Sequence, residues 1–194
     1  MKRLAFFALT LALALAPAPA RLRAQIPPPP TPSPDPHTYS DPAMNFTAPP
    51  DAVLVGRRVI PVNQLGQDLQ MVALWVLHPG RDDARTIQLA MESFEGPPDQ
   101  WEAQFESQMH SAGSSDLLVR RKQSMSLLNG MPASFVEITS GSGFTSKKEF
   151  AVVWADGQRG IALSYTARLG DASSVDALAA LKNATAVRYP IEQP

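Results

Sequence analysis

Apolar positions recur along this chain with two different periods, and the change between them locates its elements. In RTIQLAMESFEG (85–96), Ile87, Leu89 and Met91 fall on one side and Gln88 and Glu92 on the other. That period of two predicts a half-buried strand. LQMVALWVLHPG (69–80) instead holds an unbroken apolar run from Met71 to Leu77. Such a run predicts a central strand covered on both faces. DAVLVGRRVIPV (51–62) is β-branched and meets Pro61, a third strand signal.

The period lengthens in PPDQWEAQFESQMHSAG (97–113). Trp101, Phe105 and Met109 repeat every four residues, one stripe on a helix. Asp99 stands three residues before Glu102, the spacing of a capping box, and Gly113 is a candidate stop. Four strand-like runs follow, at 117–128, 131–139, 147–155 and 159–168. Asn129-Gly130 separates the first two and Asp156-Gly157 the last two. Both pairs suit a two-residue type I′ turn. The segment 140–146, SGSGFTS, reads as a longer loop. DASSVDALAALKNATAV (171–187), with Asp171, Ser173 or Ser174 as cap, predicts a second helix. The order is strands, a helix, four strands and a helix. It predicts one α+β domain, a mostly antiparallel sheet of about six to seven strands flanked by two helices lying on one side.

The ends of the chain add a destination. Lys2 and Arg3 precede an apolar run from Leu4 to Ala16 and small residues suited to cleavage after Ala20 or Ala24. Residues 1–24 therefore read as a signal peptide, with a run too short to span a bilayer. Residues 25–38 read as a proline-rich tether, centred on IPPPPTPSPDP (26–36), extended by its composition. Residues 39–194 form the single domain. The expectation is an exported chain, periplasmic or secreted, with no transmembrane segment once processed.

Composition mainly excludes. The chain of 194 residues carries a formal net charge of −1, with no basic excess to hold nucleic acid. It has no cysteine, which removes disulfides, thiol catalysis and a lipid-modified N-terminal cysteine. The three histidines, His37, His78 and His110, do not recur at metal-ligand spacing. His78 lies in a turn with Asp82 and Asp83, and His110 follows Glu106 by four on one helix face. Ser142 sits between glycines without the context of a nucleophile elbow, a P-loop or a dinucleotide fingerprint. No cofactor is expected and no catalytic or metal residue is assigned.

Two weak candidates for binding remain. Trp101, Phe105 and Met109 are candidate lining for a ligand groove, although such a stripe is more often core. Arg120 and Lys122 share a strand face and are a candidate anion patch, although basic residues also protect sheet edges. Trp75, Trp101 and Trp154 are expected in the core.

The segments YSDPAMNFTAPP (39–50), IQLAMESFEGPPDQWEAQFESQ (87–108), LLNGMPASFVEI (127–138) and SKKEFAVVWADGQRGIALSYTAR (146–168) follow one another in a familiar order. Over residues 39–189 the chain resembles the PsbP-like and DcrB-like group of exported domains, with a Mog-type α/β/α sandwich fold. Leu128, Asn129, Gly130, Pro132 and Ala133 match that group's strand-end pattern. These are turn and core positions, so the resemblance implies a fold and a non-enzymatic role and carries over no site residue. The function expected is an exported, non-catalytic accessory or binding domain of the bacterial cell envelope. Its partner would be an envelope protein. The alternatives are a carrier of a small apolar ligand and a hydrolase with a degenerate site using His78 or His110.

Overall fold

The computed structural model describes residues 35–112, 117–141, 146–171 and 173–189. The signal-peptide reading, most of the tether, Gly113 and most of the 140–146 loop lie outside them.

Seven strands form one antiparallel sheet in the order β3-β4-β5-β9-β8-β7-β6. They are β3 (Val53–Arg57), β4 (Gln70–Leu77), β5 (Arg85–Ser93), β6 (Leu118–Ser126), β7 (Pro132–Ser140), β8 (Lys147–Ala155) and β9 (Arg159–Arg168). Each corresponds to a strand expected from the apolar pattern. A second sheet was not expected. It pairs β1 (Thr38–Asp41), β2 (Met44–Thr47) and β10 (Ala184–Ala186) in the order β1-β2-β10. β10 takes the last part of the segment expected to be helical, so α2 (Ser174–Leu181) is shorter than its pattern suggested. The Ser173 hydroxyl accepts the Asp176 amide and caps α2.

The helices lie on opposite faces of the large sheet, not on one side. The strand pleat explains how. In β8, Phe150, Val152 and Trp154 join a core with Ala177 and Leu181 of α2 and the small sheet's Tyr39 and Phe46. Ala151, Val153 and Ala155 point the other way, to Trp101 and Phe105 of α1 (Pro98–Ala112). All three tryptophans are buried, as expected.

α1 links β5, near the middle of the sheet, to β6 at its edge, and it lies across β7 and β8. It starts at Pro98, one residue ahead of the expected cap. Glu102 does not close a capping box but pairs with Lys122. Trp101 anchors the crossing by donating from Nε1 to the Ile161 carbonyl at 3.2 Å. It rests on Gly160, where a Cβ would stand 2.4 Å from the indole ring. Only glycine lets the helix come so close.

Both hairpin turns differ from type I′, which needs positive φ at two successive residues. Leu127 donates its amide to Met131, and Gly130 donates to the Leu127 carbonyl. The loop is therefore Leu128-Asn129-Gly130, with Gly130 alone at φ +88°. That is the three-residue hairpin with a left-handed glycine. In the other, Asp156 and Arg159 face each other and Gly157-Gln158 turn the chain. Gly157 alone has positive φ, +103°, the II′ arrangement. In each case Asn129 or Asp156 leaves the backbone's positive-φ position and spends its side chain on other contacts.

Candidate functional site

Because α1 crosses toward β6, it leaves the β3-β4 end of its sheet face, and the start of β5, uncovered. The unbroken apolar run of β4 predicted burial on both faces, and the structure corrects this. Val72, Ala73, Trp75 and Leu77 are buried, Leu74 and Val76 are half-buried, and Met71 is 44% exposed. No second layer reaches them on the α1 side among the described residues.

A groove of about 660 Å³ opens where this bare end meets α1. Phe105 and Met109 form one wall and Leu69 and Met71 the other. Ala90 of β5 faces Ala162 of β9 across the strand pairing, and both lie in the floor. Two adjacent methyl side chains leave the space that larger residues would fill. Of the candidate groove residues, Phe105 and Met109 line it, and Trp101 does not, being buried against Gly160.

The groove is also acidic. Glu149 of β8 and Ser164 of β9 line it, and so does Asp68, which is exposed. Desolvation by the surrounding protein raises the Glu149 pKa, against the opposing pull of the Ser164 hydroxyl and Lys147. Beside the groove, Glu92 of β5 is fully buried beneath α1. Gln104 and Gln108, one turn apart on the helix, both donate to it, Gln108 at 2.6 Å. Burial raises the Glu92 pKa, and the two amides oppose that shift. Glu92 thus ties α1 to β5 beside the groove.

The basic cluster lies at the opposite edge, on β6. The pairing of β6 with β7 shifts between Val119 and Arg121, a bulge at Arg120 that breaks the alternation. Arg120 reaches the Thr139 hydroxyl, whereas Lys122 turns to α1 and pairs with Glu102 and Glu106, each at 2.6 Å. The two do not share a face, as simple alternation implied. Burial pushes the Glu102 pKa up, but its bonds to Lys122 and Ser134 outweigh this and lower it. Glu106 therefore faces Lys122 rather than His110. His78, at φ +51°, sits in the β4–β5 turn with Nδ1 3.1 Å from Asp83 and Nε2 3.7 Å from Asp51. His110 is exposed near the end of α1, and neither histidine lines the groove.

Sequence reasoning missed a buried charge cluster that fastens the two sheets. Arg159 donates from Nε to Asp156 at 2.7 Å and from Nη1 to Asp41 at 2.6 Å. Tyr189 stacks on the guanidinium, with 4.8 Å from Cζ to the ring centroid. Burial alone would favour a neutral guanidine, but the two aspartates raise the Arg159 pKa. Desolvation, reinforced by Asp41, raises the Tyr39 pKa well above its ordinary value. The only sequence signal was an arginine beside a turn glycine, which looks like surface.

This architecture is the PsbP-like fold. By sequence, the chain matches no protein-family profile and none of the curated proteins. By structure, it is similar to cyanobacterial PsbP (CyanoP) from Synechocystis sp. PCC 6803, with a TM-score of 0.55 and 13% identity over 77% of this chain and 91% of that one. It is also similar to LpqN, a protein involved in cell envelope biogenesis of Mycobacterium tuberculosis, with a TM-score of 0.51 and 16% identity over 76% of this chain and 87% of that one.

Proposed function

We propose that this chain is an exported, non-catalytic binding domain of the bacterial cell envelope, and that its recognition site is the groove beneath α1. The observation that carries this reading is the bare apolar end of the sheet face beside Phe105 and Met109. A concave, mostly apolar lining with a few polar groups is the common form of a small-ligand site. The signal-peptide pattern of residues 1–24 supports export, and the envelope role of LpqN is consistent with it. The position of His78 and His110 outside the groove favours binding over hydrolysis. The groove's volume falls within the range of small-molecule sites, roughly 300–1,000 Å³, which favours a small, largely apolar ligand over a protein partner.

An apolar diazirine probe tests this. Photolabelling followed by peptide mapping should place the adducts on residues 105–111 and 88–90. Ala90→Trp, which fills the floor, should reduce the labelling at least severalfold. Labelling that maps elsewhere, or that Ala90→Trp leaves unchanged, would overturn the groove assignment.

A further inference from the structure

The polar groups of the groove are as one-sided as its walls are apolar. Among the described residues its lining holds two carboxylates, Glu149 and Asp68, and no lysine, arginine or histidine. The two differ in standing. Asp68 is exposed, where solvent screens its charge. Glu149 is half-buried near the start of β8, with Ser164 diagonally across from it on β9. The Ser164 hydroxyl favours its charged form, and a carboxylate has about four acceptor positions. Lys147, two residues earlier on the same strand face, is exposed and does not line the groove. Glu92 offers no competing site, because Gln104 and Gln108 occupy its oxygens.

We propose that the groove takes a small molecule with an apolar body and a protonated amine head, its body between Phe105, Met109 and Met71 and its ammonium on Glu149. Charge complementarity selects this occupant. A ligand anion would face two carboxylates in the lining, while the nearest cations on that sheet face, Lys147 and Arg168, stand exposed beyond it. A wholly apolar ligand would bury Glu149 with only the Ser164 hydroxyl to favour its charge, which costs free energy. An ammonium supplies donors for the open acceptor positions, and a charge-assisted bond in a desolvated site is stronger than a neutral one. This inference rests on the groove being the binding site, and its test reads charge preference separately from occupancy.

Phenylbutylamine, phenylbutanol and phenylbutyrate share one apolar body and differ in the head. Titrated into the isotope-labelled protein, the amine should shift resonances of Met109, Ala162 and Glu149. It should bind about tenfold tighter than the alcohol, the scale of one charge-assisted hydrogen bond. The carboxylate should bind weakest. Glu149→Gln should bring amine and alcohol to within about twofold while leaving the alcohol unchanged. Asp68→Asn, at an exposed and screened position, should alter the preference by less than about twofold. The ranking in the unmodified protein needs no variant, so a misfolded variant does not weaken the test. Equal affinity of amine and alcohol, or a preference that survives Glu149→Gln, overturns the inference and leaves the groove assignment intact. If no probe shifts groove resonances, the inference also falls, and the photolabelling then decides the groove separately.

Discussion

Arg159 shows how much of this fold hangs on single side chains. It is 2% exposed, between carboxylates that are themselves 3% and 0% exposed. Asp41 does more than balance charge, since its Oδ1 also accepts the amides of Ala43 and Met44 and shapes the β1–β2 turn. Asp156 accepts the amides of Gln158 and Arg159 in the same way. Each carboxylate therefore sets a turn and faces the shared guanidinium. Arg159→Met would leave two buried aspartates side by side without a cation. We expect a loss of about 3–5 kcal/mol, the usual cost of breaking a buried pair from one end. Urea unfolding at neutral pH measures it, and a loss below about 1 kcal/mol would mean that water reaches the aspartates.

Among the elements, the β6–β7 hairpin does more than reverse the chain. Its loop docks on β10. The Leu128 amide donates to the Ala184 carbonyl. The Asn129 side chain donates to the Ala186 carbonyl at 2.7 Å and accepts its amide at 3.3 Å. An asparagine amide has the same donor and acceptor pattern as a peptide group, so it pairs with β10 as another strand would. Asn129 and Gly130 thus have separate tasks, docking and turning. Asn129→Ala should cost about 1 kcal/mol and speed hydrogen exchange of the Ala186 amide. Gly130→Ala should cost about 1 kcal/mol through its positive φ, with the Ala186 amide still protected. Equal exchange in the two variants would refute this division.

α1 is held by contacts of two kinds. Trp101 and Phe105 bury apolar surface, with burial of a large side chain worth roughly 1.5–3 kcal/mol. Glu92, Glu102 and Glu106 add polar ties to β5 and β6. This combination lets the helix stand firm while one side of it faces the open groove.

For the molecule as a whole, these carboxylates give stability a pH dependence of mixed sign. Glu92 has a folded pKa raised above its ordinary 4.5 by burial. The folded chain therefore binds more protons at this site than the unfolded chain does just above pH 4.5. Its contribution is full below that pH and is lost as pH rises through the folded pKa. Glu102 has the opposite sign, because its folded pKa is lowered and its contribution is lost on acidification. Glu92→Gln should remove the first effect alone. Thermal unfolding of the variant relative to the parent should improve steadily from about pH 4 to pH 7. A difference that stays flat across this range would show that Glu92 does not titrate there.

The strands, the first helix and the turn positions were legible in the sequence because they follow from local alternation and from glycine's access to positive φ. The PsbP-like fold was legible too, through the order of those segments and the LLNGMPA motif. The small sheet was not, because four-residue strands such as β1 and β2 carry too short a pattern to read. The turn types were missed because Asn129 bonds Ala186, far away in sequence, and Asp156 uses its carboxylate on the turn amides and on Arg159. Phe105 and Met109 were legible as a stripe, but whether a stripe is core or groove depends on what stands opposite.

The sequence by itself determined the periods: which residues alternate, where the helix stripe runs and where the chain can turn. Those are properties of neighbours a few residues apart. The tertiary structure decided which faces were left bare. α1 must carry the chain from β5 to the far edge at β6, so it covers one part of its sheet face and leaves the β3-β4 end exposed. The same run of apolar residues in β4 is core on one side and groove on the other, because burial depends on the layer above a strand and not on the strand.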